Sequence, residues 1–336
     1  MIRSLGFLFA AITLVCMAPS TPSHAADLTQ LAIGTSRDPN NGALLIVARN
    51  MNFFRDNGLD VSIKYFPSAG DLVGAMASGA LNIGAGGSVP TTTLRAGGYP
   101  AVTLAQQADI SGAQQVVVDK RIVSPNDLEG KKLGANFGTV SQMLAEAMIQ
   151  HYHLAPRKVT LVNLGPADMI TALLRGDIAG AALWEPWASQ AVKGGAHRLL
   201  TGSESYVPGQ TGPMTILGDH SLLIASEPWV EQNPTIVGAV LKSLIQAERF
   251  VATQPDQAAE VIGKELGVPA DEMKDQMARN RYSMAIDSKL IRDMDAETDF
   301  LMQNGKLKSP VRAVDWVYTS LLRQIAPELV PGPAAR

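Results

Sequence analysis

The stretch Leu128 to Tyr152, LEGKKLGANFGTVSQMLAEAMIQHY, reads as a strand, a polar turn and a helix. The spacing predicts a helix entered at Thr139: Gln142, three residues on, forms a capping box with it, and Val140, Met143, Leu144, Ala147 and Met148 follow at helical period. The first turn of that helix presents backbone N–H groups beside the Thr139 and Ser141 hydroxyls, with Gly138 permitting close approach. Such an arrangement suits an anionic group, although most capped helices of α/β proteins hold no ligand.

Units of the same kind precede it. Leu31 to Gly34 reads as a strand running into the polar loop 35–42, which carries Arg37 and Asn41, ahead of an apolar helix from Ala43 to Met51. A second strand, Val61 to Phe66, leads to Pro67–Asp71 with Ser68, where Asp71 is placed to cap a short helix. A third, Leu81 to Gly86, leads to Gly87, Ser88, Val89 and Pro90 at the start of another helix. Strands joined in this way pair in parallel, and the turns at their carboxyl ends gather at one sheet edge, the usual ligand site of open α/β sheets.

The chain then leaves this first lobe through Gln114 to Val118, which puts a boundary at residue 120 and a second lobe over 121–219. That lobe holds the opening stretch, a strand from Pro156 to Asn163, a turn and helix from Gly165 to Leu174, and an apolar strand from Ile178 to Leu183 that ends in Trp184-Glu185-Pro186-Trp187. Two tryptophans flanking a carboxylate can stack on a ligand, and they can equally close off a core. Ser221 to Ala225 reads as the return crossing, with Asp219 and His220 beside it. Five amphipathic helices follow, over 236–250, 257–266, 271–279, 288–304 and 311–322; they are expected to cover the first lobe, which thus takes in 26–120 and 220–336.

The formal net charge of the 336 residues is −3 and no basic run occurs, which excludes a nucleic-acid partner on electrostatic grounds. The amino terminus, with Arg3, an apolar run from Leu5 to Met17 and Ser23-His24-Ala25, reads as a signal peptide over 1–25. The single cysteine, Cys16, lies in that segment, so a mature chain would have neither disulfides nor a cysteine nucleophile. His151 and His153 at a helix end are the closest pair of imidazoles, a weak basis for a metal site. With no nucleophile and base at useful spacing, the expectation is a protein without catalytic residues, metal or cofactor.

Gly34, the loop through Asn40 and Gly42, Phe53-Phe54 with Gly58 to Val61, Ser78-Gly79, Asn82 to Gly84, Gly87 to Pro90, Asp127 to Lys132, Gly138-Thr139, Gly176-Asp177 and Trp184 to Trp187 occur in an order that resembles the solute-binding proteins of ABC importers for aliphatic sulfonates, taurine and nitrate. The resemblance implies an α/β fold of type II periplasmic binding protein, two lobes joined by two crossings around a ligand cleft. It also implies a periplasmic monomer that captures a small anionic ligand, most readily a sulfonate, and delivers it to an inner-membrane ABC permease. A thiamine-precursor pyrimidine, nitrate or an aromatic acid, bound for transport or sensing, is the alternative. The residues expected at the ligand are Arg37, Asn41, Ser68, Gly87, Ser88, Val89, Gly138, Thr139, Ser141, Trp184, Glu185, Asp219 and His220.

Overall fold

The computed structural model describes residues 28–154 and 158–332. The expected leader with Cys16, the start of the strand placed at Pro156 and the end of the chain after residue 332 lie outside them. In chain order the strands are β1 Thr29–Ser36, β2 Leu59–Phe66, β3 Ile83–Gly87, β4 Ala101–Asp109, β5 Gln114–Val118, β6 Lys132–Ala135, β7 Thr160–Asn163, β8 Gly180–Trp184, β9 His197–Thr201, β10 Glu204–Ser205, β11 Gly212–Pro213, β12 His220–Ser226 and β13 Arg281–Tyr282. They form two sheets, ordered β13-β4-β12-β3-β1-β2 and β11-β10-β9-β5-β8-β6-β7.

The first three strands pair in parallel, as their connecting helices require, and β12 returns antiparallel between β3 and β4. In the second sheet β7, β6 and β8 run parallel and β5 lies antiparallel between β8 and β9. Two segments cross between the sheets, at Ile110–Ala113 and again at Met214–Asp219. Two α/β lobes with two crossings are therefore present, but the first crossing precedes the expected boundary. Gln114 to Val118 is buried along its whole length and needs a neighbour on each side; β8 and β9 supply both, whereas the edges of β4 are taken by β12 and β13.

The helix starts differ from expectation in ways that matter for the cleft. The first helix spans Pro39–Asn50, so Asn40 and Asn41 belong to its first turn, with Asp38 as the cap accepting the Asn41 N–H at 2.8 Å. Ser68, not Asp71, caps the helix Ala69–Ala77: its Oγ accepts the Asp71 N–H at 3.2 Å. At the helix Val140–His151, Thr139 Oγ1 accepts the Ser141 N–H, while Gln142 reaches past the cap to the Gly138 N–H; Gly138 itself sits at φ +77°, where a side chain would be strained.

The carboxyl-terminal helices do not all lie on the first lobe. Ser288–Gln303 places Leu290 and Met294 in the first apolar core but Leu301, with Leu307 beyond it, in the second. At 1.5 Å per residue its sixteen residues run about 24 Å, enough to span both lobes. The helix expected over 311–322 is instead a single turn at Ala313–Asp315, an extended contact of Val317 with Thr103 on β4, and a short helix Ser320–Ile325. Tyr318 donates to the Thr103 carbonyl and Thr103 to that of Trp316, so pairing with β4 outweighs the helical period there.

Close packing beneath the first sheet explains one glycine. A Cβ at Gly34 would come within 2.5 Å of Leu72 and 2.7 Å of Leu81, both buried under the helix Ala69–Ala77. Leu72→Ala is expected to cost about 2–5 kcal/mol and Gly34→Ala about 1–3 kcal/mol. Because the lost leucine removes the tighter of the two clashes and gives Leu81 space to shift, the double variant should be less destabilised than the sum, as read from urea unfolding; additive losses would contradict this packing.

Candidate functional site

The carboxyl ends of strands from both sheets open onto one cavity of about 380 Å³. From the first lobe it takes Ser36, Asp38, Asn40 and Asn41 after β1, Pro67 to Gly70 and Val73 after β2, and Gly87, Pro90 and Thr93 after β3. The second lobe contributes Asn136 and Gly138 to Val140 after β6 and Trp184 from β8. Ile110, Gln114 and Asp219 enter from the two crossings. A larger hollow of about 530 Å³ at the opposite ends of β5, β6 and β8 draws on the second lobe alone and is lined by surface charges such as the Asp119–Arg121 pair.

The chemistry of the lining is lopsided. Among the described residues its charged side chains are Asp38 and Asp219, with no lysine, arginine or histidine. Burial pushes Asp219 up to about 7 against the opposing charge of His220, and burial also raises Asp38 despite the hydrogen bonds it accepts from Asn41 and Ser36. Asn41 Oδ1 and Gln114 Oε1 are buried acceptors with no partner among the described residues. Against these acceptors stand helix starts. Ala69 and Gly70 head one helix and Val140 another, so their amides have no carbonyl within their own helix to bind. The cleft thus offers amide donors on one side and a buried carboxylate on the other.

Seven of the expected residues meet at this cavity: Asn41, Ser68, Gly87, Gly138, Thr139, Trp184 and Asp219. Six do not. Arg37 turns outward, donating to the Glu265 carbonyl at 3.2 Å and lying 5.4 Å over the Tyr65 ring. Val89 is fully buried in the second apolar core. Ser141 is held inside its own lobe, accepting the Asn136 N–H and donating to the Ala182 carbonyl at 2.6 Å. Ser88 and His220 lie under the cavity floor, Ser88 against Asp219 and His220 against Asp293 at 2.8 Å. Trp187, the other half of the aromatic pair, packs on the third apolar cluster around Ala188 and Ala191.

Glu185 is the largest departure. Its carboxylate is fully buried, accepts from Gln115 at 2.6 Å and from the Ser189 N–H at 3.2 Å, and pairs with Arg279 at 3.0 Å and Arg198 at 3.6 Å. Its backbone carbonyl accepts from Asn40 at 3.0 Å, and Asn40 in turn accepts from Asn280. Glu185 therefore fastens the second lobe to both the first helix and the Arg279 segment of the first lobe. Gln114, Asn136 and Asp38 were missed by sequence reading because a turn's length does not say which of its side chains points inward.

A family model described as NMT1/THI5 like matches residues 40–258. The taurine-binding periplasmic protein of Escherichia coli (strain K12) is 31% identical over 255 residues, which cover 76% of this chain and 74% of that one. Among solved structures, the alkanesulfonate-binding protein SsuA from Xanthomonas axonopodis pv. citri bound to MOPS aligns with a TM-score of 0.71 at 20% identity, over 88% of this chain and all of the other. The periplasmic nitrate-binding protein NrtA from Synechocystis PCC 6803 aligns at 0.69 and 17%, over 90% of this chain and 89% of the other. At these identities the structural likeness is one of fold.

Removing one partner of a buried ion pair leaves charges uncompensated, so Glu185→Ala is expected to lower stability by about 3–5 kcal/mol in urea unfolding. The carboxylate does not line the cavity but ties the lobes together, so affinity should fall only as far as closure weakens, and by a similar factor for every cleft ligand, at temperatures where the variant is folded. Intact stability with lost binding would return Glu185 to the ligand.

Proposed function

The chain belongs to the NMT1/THI5-like family, and on that premise we propose that it is the periplasmic binding component of an ABC importer that captures a small aminosulfonate of the taurine type. The observation that carries this reading is the pairing of unlike ends in one cleft: helix-start amides for an anion, and the buried Asp219 carboxylate for a cation. A sulfonate would accept hydrogen bonds from the amides of Ala69, Gly70 and Val140, at helix starts of both lobes that Ser68 and Thr139 cap. Bridging the lobes in this way would favour the closed arrangement that the Asn40–Glu185 contact already joins. Trp184 would cover the short alkyl chain, and the ammonium would meet Asp219, with the free acceptors of Asn41 and Gln114 in the same cavity.

This assignment needs no chemistry on the ligand, and we read the protein as a carrier and not an enzyme. The signal peptide read over 1–25, export to the periplasm, monomeric action and delivery to an inner-membrane permease belong to the same proposal. A nitrate ligand is disfavoured, since a bare anion would share the cavity with two carboxylates and no cationic side chain.

Calorimetric titration with taurine and with ethanesulfonate, which lacks only the amine, separates the two ends of the site. A hydrogen bond to a charged group contributes about 1.5–3 kcal/mol, so Asp219→Asn should weaken taurine binding about 10–100-fold. Ethanesulfonate binding should be unchanged or improved in that variant, while Thr139→Ala should weaken both. Equal affinity of the wild type for both compounds, or binding of pyrimidines alone, would overturn the assignment.

A further inference from the structure

Beneath the cavity, Ser88 Oγ has three polar neighbours: Asp219 Oδ1 at 3.2 Å, Glu297 Oε1 at 2.5 Å and the backbone N–H of His220 at 3.2 Å. A hydroxyl has one proton to donate and two lone pairs. The His220 N–H occupies one lone pair. The hydroxyl can then donate to only one of the two carboxyl groups, and its contact with the other requires a proton that the carboxyl itself carries.

The surroundings decide which carboxyl that is. Glu297, from the helix Ser288–Gln303, is fully buried and its Oε2 has no partner among the described residues. The charged groups packed around the pair are Asp293 and Lys289 from the same helix, Asp109 from β4 and His220 from β12. Lys289 bridges Asp293 at 2.7 Å and Asp109 at 3.0 Å, and His220 Nε2 also meets Asp293. Lys289 and His220 are thus engaged by the two outer carboxylates, and among the described residues neither contacts Glu297. An ionised, half-unpaired carboxylate in that position is costly, whereas a protonated one completes the hydroxyl's set.

We propose that Glu297 stays protonated at neutral pH and donates to Ser88, which donates to Asp219, so that Glu297 and Ser88 are positioning residues holding Asp219 ready for a ligand cation. The proposal rests on the reading of Asp219 as the ammonium partner. No bond beyond hydrogen bonds forms, and the proton on Glu297 stays there through binding. Burial and the Asp219 charge both raise Glu297 well above the ordinary carboxylate range, in agreement with the geometry.

A pH dependence follows. Asp219, pushed up to about 7 by burial, is partly protonated in the empty cleft at neutral pH and must be ionised to meet an ammonium. Taurine affinity should be full above that value and fall by up to about tenfold per pH unit below it. Ethanesulfonate affinity should not follow it. Because the folded value lies above the ordinary 3.8, the Asp219 contribution to ligand-free stability has the opposite sign: it is complete below about pH 4 and is lost as pH rises through about 7.

The test pairs infrared spectroscopy of the ligand-free protein with calorimetry at about pH 7.5, where the ordinary carboxylate is fully ionised. The expected spectrum has the carbonyl stretch of a protonated carboxylic acid in the wild type and lacks the Glu297 contribution in Glu297→Gln. The glutamine amide can donate to Ser88 as the acid does, so Glu297→Gln should keep taurine affinity within about threefold while Glu297→Ala and Ser88→Ala lose about tenfold or more. All three should bind ethanesulfonate as the wild type does, which also reports that they fold. Identical acid-carbonyl bands in the wild type and Glu297→Gln, or equal losses in the glutamine and alanine variants, overturn the relay. A wild type that fails to prefer taurine over ethanesulfonate overturns the ammonium reading and the positioning role with it, and the infrared band then decides the Glu297 proton alone.

Discussion

The hydrogen bonds that converge on Ser88 tie together parts of the chain that are far apart in sequence. The start of the helix Ser88–Ala96, the return crossing at Asp219 and the long helix Ser288–Gln303 all meet at one hydroxyl. Around it, Lys289 and His220 engage Asp109 and Asp293, and among the described residues no lysine or arginine pairs with the Asp219 carboxyl group at the cavity. The amide groups at the opposite helix starts favour negative charge, and the proposed taurine-type ligand rests on that pairing with Asp219.

Closure is served by a different set of residues. Glu185, between Arg279, Arg198 and Gln115, joins the lobes from behind the cleft, while its neighbour Trp184 faces the cavity. One short loop therefore touches the ligand space and the lobe-to-lobe contact at adjacent positions. The last long helix, with its two ends in two different cores, adds a second connection between the lobes. Both connections have to adjust if the cleft opens to admit a ligand.

Much of this was legible in the sequence. Apolar runs flanked by glycine and polar turns located the longer parallel strands and the return strand, but not β9 or the two-residue strands β10, β11 and β13, because period and punctuation are local properties and short edge strands carry little of either. The orientation of side chains within a turn is not. Arg37 stands one residue from the helix cap Asp38 yet points away to Glu265 and Tyr65, and Ser141 points back into its own lobe. Burial of Gln114 to Val118 on both faces matched either lobe until the strand partners were known. Glu185 read as a ligand group because a carboxylate between tryptophans looks exposed in a string of letters; the arginines that bury it lie thirteen and ninety-four positions on.

The most direct measurement is a crystal structure of the protein with taurine bound. The ammonium nitrogen is predicted within about 3 Å of Asp219 and the sulfonate oxygens at similar distances from the amides of Ala69, Gly70 and Val140. A sulfonate placed against Asp219, or an ammonium left without contact to it, would contradict the account.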